Sequence, residues 1–230
     1  MKYIKIILVT SLLFSVFPAF SQRVILHSNV DKQYEIPKKG ANRQQYFWVQ
    51  LSLFGADLAS GELDSKQNFG NYYGLNFNKK YKLNNVFSQG FGWGIHQQVY
   101  RLSKKGLNTM SRPYCDKGKL IFTGLNVNYF VRFNFDPKRG NIVGNYLDIA
   151  PFGQYNFYQR AKFVHGRWTE KTGSENFAER YAIGVETRLG HEYLSIYFRY
   201  KFLSDNPKSG TFVNLDLAKC SVGLHVNIGK

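Results

Sequence analysis

What the chain lacks narrows it first. It has only two cysteines, Cys115 and Cys220, among 230 residues. Neither belongs to a CxxC pair, and neither has a histidine at metal-ligand spacing, which argues against a thiolate metal site. There is no HExxH, no glycine-rich phosphate loop and no aspartate-rich calcium loop, so neither metal nor cofactor is expected. Beyond Ser21 no apolar run approaches the roughly 20 residues that a membrane-spanning helix needs. Acidic side chains are scarce as well. Only 15 Asp and Glu stand against 31 Lys and Arg, a formal charge of +16. A chain this basic suits an anionic partner.

The first residues read as a targeting segment. Lys2 and Lys5 make a basic start, Ile6 to Phe17 an apolar run, and Ala19-Phe20-Ser21 a small-residue exit. That three-part order predicts a secretory signal over residues 1–21, cut before Gln22. Cleavage removes two lysines and no acid, which takes the charge from +16 to +14. Export excludes nucleic acid as the anionic partner and leaves phosphates of outer-membrane lipid and lipopolysaccharide. An exported chain without a spanning helix either stays soluble or crosses an outer membrane as strands. In that oxidising setting Cys115 and Cys220 are a possible disulfide, although spacing alone does not bring them together.

What the chain has in plenty is aromatic side chains, 17% of residues, with 20 Phe and 16 Tyr. They are patterned most clearly in the hairpin from Lys119 to Tyr158. Leu125, Val127, Tyr129, Val131, Phe133 and Phe135 fall on one face of the first arm. Asn126, Asn128, Phe130, Arg132 and Asn134 fall on the other. In the second arm Leu147, Ile149, Tyr155 and Phe157 alternate with Tyr146, Asp148, Gln154 and Asn156. A period of two means strand. Both arms exceed the 9–11 residues or so with which a tilted strand crosses a bilayer.

The remaining chain repeats the pattern. Residues 22–44 read as a periplasmic extension, with a short strand at Val24 to Leu26 or a flexible leader. Residues 45–230 form the barrel. Strands are expected at about Gln45–Phe54, Gly70–Asn78, Phe87–Leu102, the two arms of the hairpin, Ala178–Leu189, Glu192–Leu203 and Leu215–Gly229. Phe91, Trp93, Ile95 and Val99 share the outward face of the third. A basic turn, Lys79 to Lys82, follows the second, and a tight turn at Leu189-Gly190-His191 follows the sixth. The connections after strands one, three, five and seven are long and polar, including Ser103–Gly118 and Gln159–Phe177. Those after two, four and six are shorter. Even strand number with alternating long and short connections is the pattern of an eight-stranded antiparallel transmembrane β-barrel of up-and-down topology. A soluble lipocalin-like barrel or a sandwich would share the period of two, but with shorter strands and fewer outward aromatics.

The segments YLDIAPFGQYNF, RYAIGVETRLG and SVGLHVNIGK resemble the small bacterial outer-membrane β-barrel families, the group of the OmpA membrane domain and the PorT-like barrels. The resemblance runs from about Gln45 to the end. It implies residence in the bacterial outer membrane and contact with protein partners in the envelope.

Eight strands enclose an interior that side chains just fill, so the inward residues decide whether there is a path. The hairpin turn centres near Gly140, which sets Arg132 opposite Asp148. Glu186, Arg188 and His225 project inward near the same end, with Arg199 and Lys201 further along. Two readings stand: an ionic network that plugs the lumen, or an ion path. Catalysis finds little. No histidine has a serine and an acid at strand spacing on one face, and His225 with Ser221 and Glu186 is the nearest set. The second long connection carries Lys104, Lys105, Arg112 and Lys117. The third carries Arg160, Lys162, Arg167 and Lys171, with Trp168 among them. These basic patches fit lipid phosphates at the rim or a specific partner. The expectation is a non-enzymatic barrel, a scaffold or accessory subunit of a secretion or barrel-assembly machine. The alternatives are a narrow pore for small solutes and, with least support, an outer-membrane lipid hydrolase.

Overall fold

Nine strands and one short helix follow each other along the chain in the computed structural model, which describes residues 40–57, 71–109, 112–136, 141–173, 179–204 and 218–229. The strands are β1 Gln45–Asp57, β2 Tyr72–Lys82, β3 Phe87–Leu102, β4 Lys117–Asn134, β5 Asn145–His165, β6 Trp168–Gly173, β7 Tyr181–His191, β8 Leu194–Ser204 and β9 Cys220–Ile228. Helix α1, Lys104–Thr109, lies between β3 and β4. The hydrogen-bonded order is β4-β3-β2-β1-β9-β8-β7-β5, and pairing of β4 with β5 closes it. The fold is thus all-β, an antiparallel eight-stranded up-and-down barrel, with β6 paired to β5 outside the ring. The signal segment and the Val24–Leu26 strand lie outside the described residues.

Alternation places the side chains. In β4 every even residue from Gly118 to Asn134 is buried, while Leu125, Val127 and Tyr129 are exposed. Phe91, Trp93 and Ile95 on β3, Phe47 on β1, and Ile196, Phe198, Tyr200 and Phe202 on β8 continue this exposed surface. Val99 holds the outward parity expected of it, yet it is buried. Its neighbour on that side is Asn71, whose carbonyl accepts the Val99 amide at 2.7 Å.

The interior is filled by rings lying against glycines. A Cβ on Gly90 would come within 2.4 Å of the Phe130 ring, one on Gly184 within 2.7 Å of Phe152, and one on Gly223 within 2.6 Å of Tyr197. On β3, Gly92 and Gly94 make space for asparagines from both sides. Asn126 donates to Asn76 at 3.3 Å, and Asn76 to Ser52 at 3.2 Å. The inward face of β3 is small because its neighbours' amides meet across it.

Four expectations are corrected. The connection Gln159–Phe177 is not a loop in its first part: β5 runs on to His165 and turns into β6. The extended strand also carries a bulge. Thr123 pairs with Tyr158 and Gly124 with Asn156, which leaves Phe157 as an extra residue. Beyond it the parity of β5 reverses, so Ala161 and Phe163 point in and Arg160 and Lys162 point out. The connection Ser103–Gly118 holds α1, whose Leu107 packs with Leu102, Leu120 and Phe163. The basic turn Lys79 to Lys82 is strand, since β2 pairs with β3 as far as Lys82↔Ser88. The turn between β7 and β8 falls on Glu192-Tyr193, after the His191↔Leu194 pair, with Glu192 at φ 47°.

Candidate functional site

Of the inward residues expected from the sequence, Arg132, Asp148, Glu186, Arg188 and Arg199 are joined in buried ion pairs, and His225 is not. Arg132 and Asp148 are direct partners in the β4–β5 register. Arg132 donates from Nε to Asp148 Oδ1 at 2.7 Å and from Nη2 to Oδ2 at 2.8 Å. The guanidinium also lies 3.7 Å from the centre of the Tyr146 ring and 5.2 Å from that of Trp48. On the other side of Asp148, across β7, stands Arg188.

A second cluster follows one step along the same strands. Glu186 faces Arg199 across β7 and β8. Arg199 Nε donates to Glu186 Oε2 at 2.8 Å, and Arg188 Nε donates to Oε1 at 2.5 Å. The Arg199 guanidinium sits between the rings of Tyr72 and Phe152, 4.6 Å from each centre. Lys201 Nζ donates to Glu179 Oε1 at 2.5 Å. All of these side chains are buried. Charges taken out of water persist only with partners and hydrogen bonds, and here cations and carboxylates alternate across adjacent strands.

Sequence reasoning missed two members. Lys80, read as part of a turn, is buried and donates to the Ala41 carbonyl at 2.6 Å. Glu179, read as a strand start, is the buried acid that meets Lys201. An amide ladder lies on the Lys80 side: Trp48 Nε1 and Gln50 Nε2 both donate to Asn227 Oδ1 at 3.1 Å, and Asn227 Nδ2 donates to the Tyr146 hydroxyl at 2.9 Å.

His225 stacks on Tyr197 with ring centres 4.2 Å apart. Neither of its ring nitrogens has a hydrogen-bond partner among the described residues. Both Glu186 oxygens are taken by arginines, and Ser221 is in register with Arg199. His225, Ser221 and Glu186 are therefore not joined as nucleophile, base and orienting acid, which need hydrogen-bond reach.

The basic residues separate into groups. Lys104 and Lys105 are exposed on α1, and Arg167 is exposed in the β5–β6 turn. Arg112 is bidentate to Glu170, 2.9 Å for each bond, on the face that carries Phe163. Lys117, Arg160, Lys162 and Lys171 lie on strands. Lys162 is directly opposite Lys119 on one side and Lys171 on the other, and Lys119 is opposite Arg101. Arg101 and Lys119 fall within strands expected from sequence, and only the register shows that they extend the basic group. Cys115 and Cys220 are two separate, half-buried thiols, with Cys115 packed against the cluster that includes Leu107 and Phe163.

No protein-family model matches the chain, and no curated protein sequence does. Among solved structures a similar chain is Ail, the attachment invasion locus protein of Yersinia pestis, in complex with the heparin analogue sucrose octasulfate. It has a TM-score of 0.33 and 13% identity, covering 80% of this chain and 95% of that one. A likeness of that degree assigns no function.

Proposed function

We propose that this chain is a plugged β-barrel of the bacterial outer membrane that acts as a scaffold or accessory subunit of an envelope assembly. The observation that carries the reading is the filled lumen. Arg132 with Asp148, Glu186 with Arg188 and Arg199, and Lys201 with Glu179 occupy it as paired, buried charges. A barrel of eight strands has little interior to spare, and here rings and ion pairs take it up. The membrane part of the reading is supported by the exposed aromatic and aliphatic wall, since monomeric soluble proteins rarely expose apolar surface on this scale. By the same rule the long connections face outward and the short turns face the periplasm. Among the described residues rings and ion pairs fill the lumen and His225, Ser221 and Glu186 are not linked, which supports placing the work at the wall and the rims.

The test is conductance of the purified full chain in planar bilayers. The expected record has no steady openings, whereas a stable channel would favour the narrow pore and overturn the plugged scaffold. Overexpression should leave lipid A chemically unchanged; deacylated or trimmed lipid A would point to the hydrolase. Mild-detergent pull-down from native membranes should bring down envelope proteins, and a barrel that comes out alone would remove the subunit role.

A further inference from the structure

Arg101 on β3, Lys119 on β4, Lys162 on β5 and Lys171 on β6 form one continuous row on the outward face, each in register with the next. Neighbouring strands lie about 4.8 Å apart, so the row sets four cations across about 14 Å. Like charges placed directly opposite each other work against strand pairing, and three such pairs occur here in succession. The acids of the same hairpin do not relieve them. Glu170 is in register with Phe163 and is held by Arg112. Asp116 Oδ2 accepts the Gly166 amide at 2.7 Å. Among the described residues no acid forms an ion pair with any of the four. Arg101, Lys119 and Lys162 also line a shallow concavity with Lys117 and Val164.

The height of the row identifies its neighbour. Along β4 the outward face reads Lys119, Ile121, Thr123, Leu125, Val127. Leu125 and Val127 belong to the exposed apolar wall. From Leu125 to Lys119 the strand advances about 20 Å, which at a tilt near 45° is about 14 Å of height. In the outer-membrane reading the row stands level with the polar headgroups on the side of the long connections, with the apolar wall below it. A ligand that touches both surfaces has acyl chains below and anionic groups above.

We propose that the row of Arg101, Lys119, Lys162 and Lys171 is a binding site for the phosphorylated headgroup of an outer-leaflet glycolipid. The proposal rests on the outer-membrane reading and names the ligand of its outward rim. Phosphate oxygens laid along the row neutralise the like charges. Arg101 supplies a forked pair of donors, and the lysines supply compact charges on flexible stems. Arg160, one row nearer the wall and opposite Ile121, adds a fifth cation at the glycolipid's base.

Native mass spectrometry of the full chain in detergent tests it, with a diphosphorylated lipid A-type glycolipid, its dephosphorylated form and inositol hexakisphosphate as probes. Wild type should retain the diphosphorylated glycolipid and lose most of that binding when the phosphates are removed. Each surface cation contributes about fivefold next to an anionic lipid, so Lys119→Gln with Lys162→Gln should weaken retention about 25-fold. Lys104→Gln with Arg167→Gln, which removes the same charge off the row, should change it less than twofold. Equal loss in the two variants would mean diffuse attraction and would overturn the site, as would full retention by Lys119→Gln with Lys162→Gln. Hexakisphosphate bound as tightly as the glycolipid would overturn the lipid assignment. Insertion into lipid vesicles, read by heat-modifiable mobility, is scored separately. A wild type that does not insert refutes the membrane reading, whereas an inserted barrel with unchanged lipid retention refutes only the row.

Discussion

Arg132 and Asp148 face each other across β4 and β5 and share two hydrogen bonds, at 2.7 and 2.8 Å. Arg188 stands opposite Asp148 on the next strand, and its Nε is directed to Glu186. One carboxylate thus sits between two arginines in register, and the next one along sits between Arg188 and Arg199. The interior is a set of alternating charges laid across β4, β5, β7 and β8, with no member exposed to solvent. Such an arrangement makes the lumen sensitive to loss of one partner and tolerant of loss of both.

Removing the acid alone should therefore cost more than removing the pair. Asp148→Ala leaves the Arg132 guanidinium buried without its carboxylate, and stability should fall by about 3–5 kcal/mol. Arg132→Met with Asp148→Leu replaces the pair by apolar side chains and should return to within about 1 kcal/mol of wild type or better. Urea unfolding from lipid vesicles measures both. A double variant as unstable as the single would mean that the pair itself, rather than the uncompensated charge, governs stability.

Glu186 is the acid shared by two arginines in the proposed plug. It accepts from two arginines, so Glu186→Ala leaves Arg188 and Arg199 buried side by side with like charge. The expected outcome is a drop of at least about 3 kcal/mol and channel events in planar bilayers, where the plugged reading expects none from wild type. If Glu186→Ala inserts, unfolds early and still passes no current, the aromatic rings rather than the ion pairs close the lumen.

Much of this interior is legible in the sequence, for a physical reason. A strand shows every second residue to the core, and a hairpin turn fixes which residues meet, so Arg132 and Asp148 can be paired from the position of Gly140. The same logic fails where parity changes. The extra residue at Phe157 reverses β5, and QRAKFV then reads as a basic loop although Ala161 and Phe163 point inward. Lys79 to Lys82 reads as a turn because lysines are costly in a core. Lys80 is nevertheless buried there, because β1 is preceded by a segment whose Ala41 carbonyl meets its ammonium. The row of Arg101, Lys119, Lys162 and Lys171 is invisible without register, since its members are far apart in the chain and each alone is an ordinary surface cation.

The glycines that receive rings should not tolerate a methyl group. At Gly223 a Cβ would lie 2.6 Å from Tyr197 Cζ and from its hydroxyl oxygen, and that ring is already stacked on His225. Gly223→Ala should destabilise by about 1–3 kcal/mol through overpacking. Adding Tyr197→Leu removes the obstructing ring, so the double variant should be less destabilised than the two singles together. Strict additivity in denaturant unfolding would show that Gly223 is required for some other reason.

A charge on the outer wall separates a membrane barrel from a soluble one. Val127 is 57% exposed, in register with Trp93 at 50%, and both lie amid other exposed apolar residues. In water, Val127→Arg replaces an exposed apolar side chain with a charged one and costs almost nothing. In a bilayer the same arginine is held near the hydrocarbon, where it costs about 2–4 kcal/mol. Trp168→Arg is the matched control, since Trp168 is 81% exposed and sits at the β5–β6 turn beyond the wall. Unfolding from vesicles should show the penalty for Val127→Arg and not for Trp168→Arg, and in detergent the penalty at Val127 should shrink, because a micelle deforms around a charge more readily than a bilayer. Equal stability of both variants in vesicles would remove the wall from the membrane and, with it, the outer-membrane assignment.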